Sequence, residues 1–422
     1  MKRTYLVHAA IAALVAVAAV HGKGATTEAR AQAAQAQTRS LPTFEVDKSW
    51  PKVPVQYKLG DVSAMASDAQ GNIYVLHRPR TLKDPDFAMA APPVVVFDTN
   101  GNFLRAWGGD GQGYEWPQRE HGVYIDHKGM VWISGNNCPT NGLARLKPVA
   151  DDQLLKFTPE GRFILQIGHS NQSKGNGDTQ NVHRAADLQV YGPTNELFVA
   201  DGYGNHRIVV FDADSGAFKR MWGAFGNRPA DDDHCTGAPQ VTNFGPPGSQ
   251  QFTTVHSVRV ANDGMVYVAD RENRRVQSFG NDGKFVKQLI KAATPFARAV
   301  ALSPDQGQQF LYVGDGPAIA VVDLKSLELI GEIKPPGIVS SHLITTDPKG
   351  NIYVAGTTVG LQKLTYKGMT PAVATSPRSR ASPRRRSSSA SCTRFGLPMT
   401  GWSMWPTART AASRALVTTA SL

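Results

Sequence analysis

The sequence predicts an all-β protein, a six-bladed β-propeller of four-stranded blades whose ring is closed by a strand from the N-terminal side. Three observations predict it: short apolar runs alternate with Gly-containing turns, one unit of roughly 40 residues recurs, and its last copy is one strand short. The clearest copy is residues 255–279, VHSVRVANDGMVYVADRENRRVQSF. HSVRVA alternates polar and apolar residues, the period of a half-buried strand. Asn262-Asp263-Gly264 is a turn, with Gly where a positive φ is needed. Residues 265–269 are an apolar run, read as a strand buried on both faces. RVQSF alternates again, and residues 284–289 form a fourth strand after the turn Asn281-Asp282-Gly283. Such a unit cannot bury its faces alone, so others must flank it.

The template recurs in residues 196–211, ELFVADGYGNHRIVVF, with one residue added in the loop. Laid along the chain it gives blades at 62–107, 121–168, 186–223, 256–290, 298–333 and 342–366. The sixth offers only three strands, which would leave an open edge. Phe44-Glu45-Val46-Asp47 is expected to fill it, pairing beside residues 360–366. The shared pattern VAD-x-x-N-x-R-I/V-x-x-F resembles the NHL repeat.

The two ends differ from the propeller, residues 41–366. Residues 1–40 begin with Lys2 and Arg3, continue with an Ala/Val-rich core over 5–20 and end in a Gln/Ala-rich stretch. This reads as a secretory signal peptide and linker, with an uncleaved anchor as the alternative, so the protein is expected to be exported, periplasmic or secreted. The formal charge is +11, but segments 1–40 and 367–422 together hold fourteen Lys/Arg and one Glu. The propeller is left with 31 basic against 33 acidic residues, a charge of −2. That balance gives no reason to expect nucleic acid as a partner. No membrane partner is expected beyond the signal segment, and the propeller is expected to be a monomer. Residues 367–422 are a low-complexity basic tail, read either as disordered or as out-of-frame translation. The abrupt loss of acidic residues there favours the second reading, and the tail is assigned no function. Three Cys fit an exported protein without a disulfide framework. Cys138 and Cys235 lie in loops that open on one propeller face, so a bridge between them is a hypothesis set against two reduced thiols; Cys392 is in the tail.

The chemistry comes from an offset. His121, His256 and His342 each stand eight residues before a turn glycine, Gly129, Gly264 and Gly350, in blades 2, 4 and 6. The matching positions in blades 1, 3 and 5 are Ser63, Ala186 and Arg298. Neighbouring blades of a six-fold ring are about 60° apart, so alternate blades are about 120° apart. Three imidazoles starting the inner strands then point at one spot on the channel axis. Neutral imidazoles in that arrangement, with an open fourth position, suit Zn²⁺. Channel strands often carry water-holding polar residues, but three His at one offset, from 11 in the chain, weigh against that reading. Asp231-Asp232-Asp233-His234 reads as a solvated acidic loop, His183 and His206 as loop polar groups, and Arg298 as a channel anion contact or a structural hydrogen-bonding residue.

Residues 44–366 resemble the propeller of peptidyl-α-hydroxyglycine α-amidating lyase. The residues that carry this are HGVYIDHKG with His121, HSVRVANDGMVYVADREN with His256, the His342 position, DGYGN with Tyr203 and LHRPR with Arg78. The resemblance implies zinc on His121, His256 and His342, with Tyr203 and Arg78 catalytic on the same face. It also implies cleavage of an α-hydroxyglycine-type C–N bond to an amide and glyoxylate. Tyr203, helped by the metal or by Arg78, would take the hydroxyl proton of a small-molecule or peptide substrate at the channel mouth. The chain departs from the family at Leu343, where the family has Asp, at Ser340, where it has Met, and at Gly204, where it has Cys. The first departure puts the family's structural calcium in doubt and the last removes a disulfide. The alternative function is a non-catalytic propeller scaffold binding a peptide, glycan or protein partner.

Overall fold

The computed structural model describes residues 40–140, 142–230, 248–291 and 297–371. They form six four-stranded antiparallel sheets, with short 3-10 turns and no α-helix. In five sheets the strands follow chain order from the inside outward, because Gly turns return each strand beside its predecessor. The inner strand Asp61–Ser67 of blade 1 lies against both Glu120–Ile125 of blade 2 and Leu343–Thr346 of blade 6, which closes the ring.

Closure takes the expected form. Ser40–Asp47 is the outer strand of the sixth sheet and pairs antiparallel with Gly360–Pro371, Phe44 opposite Tyr366 and Asp47 opposite Lys363. The pairing also runs further than expected. Beyond a register shift between Pro42 and Phe44, Pro42 faces Met369 and Ser40 faces Pro371. Residues 367–371 therefore belong to a strand, although the tail was expected to begin at 367; residues 40–42 supply the partner. Phe44 stands edge-on to Tyr312 of blade 5 at 6.2 Å and lies 5.7 Å from Tyr366, tying the seam to its neighbour.

Second strands are buried from end to end, as their apolar runs predict; Val266–Asp270 and Ile352–Gly356 are examples. Two strands expected to be half exposed are not: Val255–Val260 and Arg275–Phe279 are buried throughout. Their polar side chains are satisfied inside. Ser257 Oγ and Arg259 Nη1 both reach Asp187 Oδ2 at 2.6 Å, and Arg275 Nε reaches Asp270 Oδ2 at 2.7 Å. Period-2 polarity on these strands marks charges paired inside the propeller, Arg259 with a neighbouring blade and Arg275 within its own, not contact with water.

Blade meets blade at tryptophans. Trp107, ending blade 1, covers the turn glycine Gly161 of blade 2, and Trp222, ending blade 3, covers Gly283 of blade 4. Both glycines have positive φ, and a Cβ would come within 2.6 and 2.8 Å of the indoles. Only glycine meets both demands.

Residues 1–39 and 372–422, Cys235 and the acidic stretch 231–234 lie outside the described residues. Cys138 is disulfide-bonded; its expected partner Cys235 is among those outside. No helix among the described residues is long and apolar enough to cross a membrane.

Candidate metal centre

The inner strands break register where the His-to-Gly offset falls. Pairing in blade 4 jumps from Val255 to Ser257, leaving out His256, and in blade 2 from Glu120 to Val123, leaving out His121 and Gly122. Blade 1 does the same at Ser63. A bulge takes its residue out of the ladder and re-aims the side chain. His342 precedes Leu343–Thr346, with its N–H on the Ala355 carbonyl at 2.6 Å. The three rings come together, with centroids 5.2 Å apart for His121 and His256, 4.7 Å for His121 and His342, and 4.9 Å for His256 and His342. One nitrogen of each lies within 4.8 Å of the others.

The odd blades fix which nitrogen that is. His121 Nδ1 donates to the Ala186 carbonyl at 2.7 Å, His256 Nδ1 to the Arg298 carbonyl at 2.5 Å and His342 Nδ1 to the Ser63 carbonyl at 2.7 Å. Ala186, Arg298 and Ser63 are the positions that match the His in blades 3, 5 and 1. One offset thus places a ligand in each even blade and its carbonyl partner in the next odd blade. A carbonyl can only accept, so each Nδ1 carries the proton and each Nε2 keeps its lone pair, the tautomer a metal requires. Gly122 permits the approach, since a Cβ there would sit 2.7 Å from the same Ala186 oxygen. Burial and the neighbouring charges keep the rings neutral. His121 is held well below its usual range by burial, His342, His256 and Arg78, and His256 by burial, Arg271 and His342. Burial and the Arg78 charge push His342 down to about 3.

Tyr203 arrives on the loop after Glu196–Asp201. Its hydroxyl lies 3.1 Å from His121 Nε2 and 3.1 Å from His256 Nε2. Its flanking glycine Gly202 is forced by contact, for a Cβ there would lie 2.1 Å from the Val255 carbonyl oxygen, next to His256. Arg78 ends the strand Ile73–Arg78, is 3% exposed and donates from Nε to the Glu120 carbonyl at 2.7 Å. Burial, then the Arg119 charge, lower it to about 10. Glu120, whose carboxyl burial pushes up to about 7, takes Arg80 at 3.4 Å instead.

The structure brings His121, His256, His342 and Tyr203 together and sets Arg78 within electrostatic reach of His121 and His342. The guanidinium that touches the phenol is not that of Arg78. Arg271 Nη1 donates to the Tyr203 hydroxyl at 3.0 Å, with Nε on Glu272 at 2.9 Å. Burial opposes the Arg271 charge, but Tyr203 and Glu272 more than offset it and hold the guanidinium above its usual range. Sequence reasoning passed over Arg271 although it lies in VADREN, the segment used to place His256. The available signal was its loop, equivalent in blade 4 to the Tyr203 loop in blade 3. Arg298 contributes its carbonyl to His256, while its Nη1 lies 3.5 Å from the Ser341 carbonyl.

A β-propeller repeat family model matches residues 330–360. The chain is 28% identical over 336 residues to the peptidylglycine alpha-amidating monooxygenase of Rattus norvegicus, covering 74% of this chain but 30% of that protein. It is 26% identical over 347 residues to NHL repeat-containing protein 3 of Mus musculus, covering 74% of this chain and 81% of the relative. Peptidyl-alpha-hydroxyglycine alpha-amidating lyase 2 of Drosophila melanogaster is 25% identical over 252 residues, 56% of this chain and 51% of the relative. The chain is thus a six-bladed propeller with a three-histidine cluster at its centre, similar to NHL repeat-containing proteins and to enzymes named for peptide α-amidation.

Proposed function

We propose that this propeller is an exported, zinc-dependent lyase that cleaves the C–N bond of an N-acylated α-hydroxyglycine to an amide and glyoxylate. The observation that carries the reading is the set of three neutral imidazoles with every Nδ1 held by a carbonyl and one nitrogen of each within 4.8 Å of the others. That donor set fits zinc, and His121, His256 and His342 would hold it. When bound, the metal supplies Lewis-acid polarisation of a substrate hydroxyl or carboxylate oxygen. Tyr203 is placed to take the hydroxyl proton, and Arg271, donating to its oxygen, steadies negative charge there. As the hydroxyl proton leaves, its electron pair forms the aldehyde C=O and the C–N pair departs with nitrogen. Tyr203 then returns a proton to that nitrogen, completing the amide. Arg78 is buried and forms no ion pair among the described residues, which suits it to receive a substrate carboxylate.

Metal analysis of the purified full chain tests the site, with one zinc per chain expected and a loss of zinc in His256→Ala without loss of fold. Glyoxylate release from an N-acylated α-hydroxyglycine tests the chemistry; Tyr203→Phe should keep zinc and abolish release. A metal-free protein would overturn the reading and leave the scaffold alternative.

A further inference from the structure

The loop that carries Tyr203 is held from two sides, and only one belongs to the metal centre. On that side Gly202 lies against the backbone of Val255. On the other side is the segment His183–Arg184, which links blades 2 and 3. The His183 N–H donates to Asp201 Oδ1 at 2.8 Å, and the Gly204 N–H donates to the His183 carbonyl at 3.0 Å. Arg184 adopts a left-handed φ of 63°, uncommon for a residue with a side chain, and its Nη1 donates to the Tyr203 carbonyl at 3.2 Å. The His183 ring fills the space a side chain at 204 would need, for a Cβ on Gly204 would sit 2.0 Å from its Cδ2. The φ of Gly204 is not left-handed, so the demand for glycine there is purely steric. The ring is anchored in turn. Its Nδ1 lies 2.6 Å from Asp152 Oδ1, and Asp152, 1% exposed, accepts the Ser173 N–H at 3.0 Å on its other oxygen.

We propose that Asp152 and His183 form a positioning pair that sets Tyr203 against His121 and His256, with Gly204 as the recess into which the imidazole locks the loop. The inference rests on the lyase reading for its consequence and on packing for its geometry. A flexible glycine pair around Tyr203 would let the phenol swing; a buried ring seated on Gly204 and fixed by a buried carboxylate removes that freedom. A shift of about 1 Å in a catalytic group costs up to about a hundredfold in rate.

The test uses the full chain with fluorotyrosine placed at position 203. The wild-type protein should show one narrow fluorine resonance. His183→Ala should bind zinc at wild-type stoichiometry, yet broaden or split the resonance and lower kcat by about ten- to hundredfold with KM nearly unchanged. Asp152→Ala should behave likewise, whereas Asp152→Asn, which keeps one acceptor for Nδ1 but turns an NH2 toward the Ser173 N–H, should retain more of the turnover than Asp152→Ala. The oxidised double variant His183→Cys/Gly204→Cys, which cross-links the same two positions, should restore the narrow line and most of the turnover. If His183→Ala fails to fold, the Asp152 variants and the cross-linked variant decide the matter. An unchanged resonance in Asp152→Ala and His183→Ala, or a cross-linked variant with the line still broad, overturns the proposal. A wild-type protein that releases no glyoxylate refutes the lyase reading instead, and the fluorine spectra still decide the clamp.

Discussion

At the scale of single residues, neutral imidazoles are the recurring device. His77 shows it away from the metal centre. It is buried, accepts the Gly60 N–H on Nδ1 at 3.1 Å and so donates from Nε2 to the Pro92 carbonyl at 3.0 Å. Burial lowers it to about 4. The unfolded chain takes up this proton below about 6.5, the folded chain only near 4, so the stability involved is complete above pH 6.5 and lost as pH falls toward 4. The loss amounts to about 3 kcal/mol for this group. Denaturant titrations of wild type and His77→Gln between pH 7 and 4 should show a shallower decline in the variant; parallel curves would refute the assignment. Arg271 supports a second expectation. Arg271→Ala should keep zinc and lower glyoxylate release by about a hundredfold, the scale of losing one donor to a developing oxyanion. Arg271→Lys should recover little, since an ammonium cannot copy the fork that spans Glu272 and Tyr203. Arg271 shows where reading the sequence stopped short: its neighbourhood was found, but which guanidinium meets the phenol depends on two loops of different blades.

At the scale of elements, blade contacts depend on a large ring over a glycine turn. Trp222→Ala should cost about 3 kcal/mol, because it empties the site between blades 3 and 4. Gly283→Ala should cost about 1–2 kcal/mol from its positive φ, with more from its close approach to the indole. The double variant should lose less than the sum, since removing the indole makes room for the new methyl group. Thermal or chemical denaturation of the four proteins measures the coupling, and strict additivity would show that the contact is not shared. Strand positions were legible from apolar runs and turn glycines. The burial of Val255–Val260 was not, because Asp187, which neutralises Arg259, is 72 residues away in sequence.

At the scale of the whole molecule, stability depends on closing the ring. Ser40–Asp47 covers the 363–371 edge of Gly360–Pro371, so removing 40–47 exposes that edge and unseats Phe44 from Tyr312. That deletion should lower the melting temperature by more than about 10 °C. Removing 372–422, beyond the last paired residue, should leave it within about 2 °C. Equal effects of the two deletions would contradict closure by Ser40–Asp47. The missing strand in blade 6 made this closure legible beforehand; its extension to Pro371 was not, because a Lys-Gly-Met-Thr-Pro segment has no strand period of its own and is ordered by its partner.

The sequence by itself determined the number of blades, the strand that closes them and the three positions from which imidazoles meet on the axis. These follow from local periodicity repeated at a fixed spacing, and a ring converts equal spacing into a common centre. Only the tertiary structure decided which nitrogen of each imidazole faces the centre, that Arg271 rather than Arg78 touches Tyr203, and that His183 fills the space over Gly204. Each joins groups on different blades or loops, and their separation is set by how blades stack, to within the few tenths of an ångström that distinguish a hydrogen bond from a clash.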